Sequence, residues 1–137
     1  MRKTKIGHLL ILVISLSLFT ACGGAADSQT ADAGEAGRGQ ALFEESTLGP
    51  SVAPGCVTCH SIESGKTLVG PSLAGMAASA SSKVAGKTAE EYLHESIVLP
   101  DAHVVDGFAS GIMYQSYAKD LTEQEINDLV AYMLSLK

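Results

Sequence analysis

The sequence predicts an all-α domain of about four helices, and two observations carry that. No stretch alternates apolar and polar residues as a half-buried strand does. Two T-x-x-E strings, Thr88 to Glu91 and Thr122 to Glu125, each open an apolar repeat at helical spacing.

The first helix is expected over about 34–46, with Ala41, Leu42 and Phe43 as its apolar content. Gly37 and Gly39 lower its helix propensity. A glycine inside a helix marks a close packing contact, so a second helix should cross there. Residues 48–55 are irregular by composition. The string Cys56-Val-Thr-Cys-His60 then opens a short turn or helix. A weak second helix is expected around 73–79. In the third, Thr88 and Glu91 cap the start, and Tyr92, Leu93, Ser96 and Ile97 share a face until the chain nears Leu99 and Pro100. The fourth repeats Ile126, Leu129, Val130 and Met133, with Tyr132 beside them. Lys137 falls at the end where the helix dipole favours a cation.

C-x-x-C-H is the attachment signature of a c-type haem. Two thiols three positions apart can each form a thioether to one vinyl group of the same porphyrin. The next residue then sits beneath the ring, where its imidazole can bind iron. Zinc would need two more ligands at matching spacing, and no second cysteine pair exists. A dithiol redox pair would want a strand–turn–helix context, which the residues around 54–60 do not show.

Arg2, Lys3 and Lys5 precede an apolar run from Leu9 to Phe19, a basic n-region and an h-region. The run is shorter than the ~20 apolar residues of a membrane span. Residues 1–21 therefore read as an export signal. Leu18-Phe-Thr-Ala-Cys22 resembles a bacterial lipoprotein cleavage site, with Phe19 where leucine is more usual. Lipid on Cys22 would also account for the odd one of three cysteines. Residues 22–35, rich in Gly, Ala, Ser, Asp and Thr, read as a flexible tether. Residues 36–137 form the single folded domain. All of this places the domain on the extracytoplasmic face of a bacterial membrane, where c-type haem is attached.

Without the three basic residues of the signal, six basic residues stand against 15 acidic, a formal charge of about −9. That argues against nucleic acid as a partner and suits partners with basic docking patches. With no Trp and only seven Phe plus Tyr, the haem itself would supply much of the core's bulk.

These residues together resemble a class I monohaem cytochrome c of the bacterial, lipoprotein-anchored type. The resemblance runs from Gly37 to Lys137. Its marks are Gly39-Gln-Ala-Leu-Phe43, Cys56 to His60, Gly70-Pro71-Ser72-Leu73, Ser96-Ile-Val98 with Pro100, Gly111-Ile-Met113, Tyr117, and Leu121 to Met133. It implies the small cytochrome c fold around one covalently bound haem c. It implies that the first and last helices cross with Gly39 and Phe43 meeting Tyr132. It implies His60 as one iron ligand, its other ring nitrogen donating to the carbonyl of Pro71, and Met113 as the opposite ligand. Independently, Met113 lies in an irregular glycine-bearing segment, 107–119, that can wrap a flat ligand. Met133 falls on the apolar stripe of the last helix and reads as core. Met76 can at best pack, and His94 reads as surface. His103, in a loop, is the rival ligand. Tyr114 departs from the family, which commonly has proline after the axial methionine, so other contacts must hold that loop. Leu68, Leu73, Ile97, Val98 and Tyr117 are candidates for the haem wall.

Electron transfer rather than enzymatic catalysis is the function this implies. The expected partners are membrane-bound redox complexes: a quinol oxidoreductase on one side, a terminal oxidase or reaction centre on the other. A permanent haem subunit of such a complex is the variant. A haem enzyme or gas sensor with an open iron site is the alternative class.

Overall fold

The computed structural model describes residues 33–137. The signal 1–21, the lipid site Cys22 and tether residues 22–32 lie outside the described residues.

Helix α1, Ala36–Glu44, starts where the Glu35 carboxylate accepts the Gly37 and Arg38 amides at 2.8 and 2.9 Å. Those two amides hold the Glu35 carboxyl below its ordinary value. Glu45 turns extended and ends the helix two residues before the expected limit. Two strands follow where none was expected. β1, Thr47–Leu48, pairs antiparallel with β2, Ala53–Pro54, with Thr47 opposite Pro54 and Leu48 opposite Ala53. Each is too short to show alternation. A 3-10 turn at Cys56–Thr58 carries the cysteine string.

α2, Met76–Ser79, is shorter than the expected 73–79 because Gly75 takes a left-handed φ of 76°. It runs into a 3-10 turn, Ala80–Ser82. α3, Ala89–Val98, and α5, Glu123–Ser135, begin on complete capping boxes at Thr88/Glu91 and Thr122/Glu125. A single turn, α4, Tyr117–Asp120, was not expected and is too short to show a period. α5 ends at Ser135 with no basic residue in its last turn, so Lys137 lies beyond the dipole's reach.

α1 crosses α5 at Gly39, as expected, and Phe43 meets Tyr132 with ring centroids 5.4 Å apart. Gly37 instead faces only the Glu35 side chain. The crossing is tied by a buried acid that the sequence reading passed over. Asp128 accepts from Arg38 at 2.7 and 2.9 Å, from the Glu35 amide at 2.7 Å and from Gln124 at 3.0 Å. Phe43, Leu48, Leu93, Ile126 and Leu129 are the most deeply buried large apolar side chains, beside the small Ala53 and Ala80. α3 also packs on α5. Loops 55–75 and 99–116 close over this frame and leave a cleft between them.

Candidate functional site

The 3-10 turn decides how the cysteine string is presented. The amides of Cys59 and His60 both donate to the Cys56 carbonyl, at 3.1 and 2.9 Å, and Thr58 Oγ1 donates to the Gly55 carbonyl at 2.6 Å. Val57 and Thr58 therefore face solvent, while Cys56, Cys59 and His60 are half-buried. Cys56 and His60 line an apolar cavity of about 110 Å³. Cys59 lines an adjoining one of about 70 Å³, again with His60. Burial pushes the Cys56 thiol up to about 11. A dithiol redox pair needs the opposite shift. Among the described residues no three His, Cys, Asp or Glu side chains gather as a metal site.

His60 is held from behind. Its Nδ1 lies 2.9 Å from the Pro71 carbonyl, which can only accept, so Nδ1 carries the proton. Nε2 is left with its lone pair free. Burial lowers the His60 pKa and outweighs the opposing pull of the Pro71 carbonyl, so the ring is the neutral ligand form. Gly70 lies flat against the imidazole, with room there for no side chain.

Met113 reaches the same space from loop 99–116. It is half-buried and lines both cavities just described, and a third of about 110 Å³, each shared with His60. Its loop is anchored at Gly111, whose amide donates to both oxygens of Asp101 at 2.9 and 3.1 Å and whose φ is 73°. Gln115 Nε2 donates to the Met113 carbonyl at 2.8 Å. His103, the rival, is exposed, stands edge-on to Tyr92 at 5.8 Å and lines the third of these cavities but neither of the other two. Met76 and Met133 are buried in the core and also line the main cavity. His94 bonds Glu123 at 2.8 Å and lines a separate groove away from His60 and Met113.

Of the expected wall residues, Leu73, Ile97 and Tyr117 line the main cavity. Leu68 does not: it is 44% exposed, on the outside of its loop. Val98 packs against the core instead of the cavity. The wall also takes Leu93, Val105, Leu121 and Leu129, which sequence reasoning did not assign to it, and Lys83. The first four are ordinary apolar positions until the helices are folded together. Lys83 precedes the third helix as an unremarkable cation.

The three cavities all touch His60 and Met113, so together they read as one slot cut by those two side chains. Each is several times the ~10–15 Å³ that one water needs, and the main one is walled mostly by apolar side chains. Such a slot suits a flat apolar group with a metal at its centre: the Cys56 and Cys59 thiols, a neutral His60 imidazole and the Met113 thioether, all lining it, fit a haem in donor type.

No curated protein matches the chain. A family model for cytochrome c matches residues 36–137, from the first residue of α1 to the last of the chain. That match takes in the crossing of α1 on α5, the cysteine turn and the Met113 loop alike, and the chain belongs to the cytochrome c family.

Proposed function

We propose that this protein is a monohaem electron carrier with His60 and Met113 as its two iron ligands. Family membership brings a covalently bound haem c and haem-based electron transfer. What supports the finer reading is that a neutral, Pro71-oriented His60 and Met113 line the same apolar cavity. When bound, the haem supplies a one-electron couple.

The chain's own residues set how that couple behaves. Cys56 and Cys59 would hold the group by covalent bonds, which would keep it bound in both oxidation states. His60 is locked in one tautomer by Pro71, which also makes its free nitrogen the stronger donor. Met113 would offer a soft sulfur that favours Fe(II), and as a second ligand beside His60 it would keep dioxygen and peroxide from binding. Leu73, Leu93, Ile97 and Leu129 exclude water, which raises the cost of the extra charge in Fe(III). Val57, Val69 and Ile112 are exposed apolar residues around the cysteine turn and the Met113 loop. They suit a small, transient contact through which electrons leave.

The sequence supplies the setting. Lipid on Cys22 and the tether would let the domain sweep an extracytoplasmic membrane surface. Among the described residues no helix is long and apolar enough to cross a membrane. The acidic surface suits basic docking faces on a quinol-oxidising complex and on a terminal oxidase or reaction centre.

The test is spectroscopic. Native holoprotein should show a near-infrared sulfur-to-iron charge-transfer band and bind carbon monoxide only slowly when reduced. Met113→Ala should lose the band, bind carbon monoxide rapidly and have a lower reduction potential. An unchanged band in that variant rules Met113 out. Rapid carbon monoxide binding by native protein favours an enzyme or sensor.

A further inference from the structure

We propose that Ser51, Asp120 and Tyr114 form a clamp that ties the Met113 loop to the β1–β2 hairpin, with Tyr114 as a positioning residue for Met113. This rests on Met113 being an iron ligand. Tyr114 follows Met113 directly, and its hydroxyl donates to Asp120 Oδ2 at 2.7 Å. The other carboxylate oxygen, Oδ1, accepts from Ser51 Oγ at 2.6 Å. Ser51 lies at the hairpin tip, so the carboxylate bridges two segments that are 63 residues apart in the chain.

The same two segments meet again beside it. The Tyr114 ring stands edge-on to Tyr117, centroids 5.0 Å apart, and the Tyr117 hydroxyl donates to the Pro54 carbonyl of β2. At the tip, a Cβ on Gly49 would lie 2.5 Å from the Asp120 carbonyl, so backbone meets backbone. Val52, next to Ser51, holds a φ of 56°, a left-handed conformation that a β-branched residue adopts only where its surroundings impose it. The hairpin is thus a braced support, and its load is the segment carrying Met113. Tyr114 itself lines one of the cavities shared by Met113 and His60.

A thioether is a weak ligand, so its lifetime on iron depends on how far its loop can swing away. Proline would limit that swing by fixing φ. Here the Tyr114 hydroxyl and ring do it by tying the loop to Asp120 and Tyr117.

Imidazole added to the ferric holoprotein reads the swing directly, because it can bind only after Met113 leaves. Tyr114→Phe keeps the ring and removes the bond, and should bind imidazole roughly threefold faster, the scale of one partly exposed hydrogen bond to a charged group. The near-infrared band should remain. Ser51→Ala should shift the rate the same way, and the double variant should be no faster than Tyr114→Phe alone, since both cut one chain of bonds. An unchanged rate in Tyr114→Phe overturns the clamp, as do fully additive effects of the two changes. Native protein without the band overturns the ligand assignment and the clamp with it. A band with an unchanged rate overturns the clamp alone.

Discussion

Gly39 of α1 lies so close to α5 that a Cβ added to it would sit 1.9 Å from the Asp128 carbonyl oxygen and 2.9 Å from Tyr132 Cβ. The first of those atoms is backbone and cannot rotate aside. Gly39→Ala should gain about 1 kcal/mol of helix propensity. It should lose more, about 3 kcal/mol, by prising the crossing open. The expected net loss is therefore about 2 kcal/mol in denaturant unfolding of the holoprotein. Gly37 is the control, two residues away in the same helix. Its nearest obstacle is the Glu35 carboxylate at 3.0 Å, the far end of a flexible side chain. Gly37→Ala should be close to neutral, its ~1 kcal/mol propensity gain set against a loosened Glu35 cap of similar worth. Equal losses in the two variants would show that the crossing is not the cause.

Asp128 should make stability depend on acid. Its carboxyl is held below its ordinary value chiefly by Arg38, with the Glu35 amide and Gln124 adding to this against burial. The folded pKa is thus below the unfolded value of about 3.9. A depressed carboxyl adds stability in full above the unfolded pKa, and that share is lost as pH falls through the folded one. Arg38 is 54% exposed, so water keeps part of its charge solvated and the pair is worth less than a fully buried one. Asp128→Asn should cost about 1–2 kcal/mol at pH 7. The gap between the variant and native protein should narrow as pH falls below the unfolded value of about 3.9, read by denaturant unfolding at pH 7 and in acid. A gap that holds constant with pH would mean that shape, not charge, is what matters there.

How legible each part was in the sequence follows from how local its cause is. α3 and α5 were readable because Thr88 with Glu91, and Thr122 with Glu125, satisfy their own helix starts within four residues. The crossing was readable through Gly39 and Tyr132 only with the family resemblance to pair them. The hairpin and α4 were not, since two-residue strands and a single turn have no period; they exist because Leu48 and Ala53 bury themselves and Tyr117 bonds Pro54. At the site, the turn that sets Cys56, Cys59 and His60 is local and visible in the string. The opposite wall is tertiary. Leu68 and Val98 are as apolar as Leu73 and Ile97, and only the folded chain separates those that face the slot from those that do not. The support beneath Tyr114 spans two distant segments and left no mark in composition.

Gly70 offers the last test, because it connects the fold to the redox chemistry. A Cβ there would lie 2.5 Å from His60 Cε1, 2.9 Å from Nδ1 and 3.0 Å from Nε2. The Gly70 backbone cannot retreat easily, since its amide donates to the Cys59 carbonyl at 2.9 Å. The imidazole must move instead, and its bond to Pro71 must stretch from 2.9 Å. A weaker bond at Nδ1 makes Nε2 a poorer donor, which favours Fe(II) over Fe(III). Gly70→Ala should therefore raise the reduction potential by on the order of 30 mV, half of the ~59 mV that a tenfold change represents for one electron. Redox titration of the holoprotein reads this, with Gly37→Ala as a variant whose potential should stay where it is. A Gly70→Ala protein with native potential would show that the ring is not pressed against the 70–71 backbone, and that Pro71 does not tune the ligand.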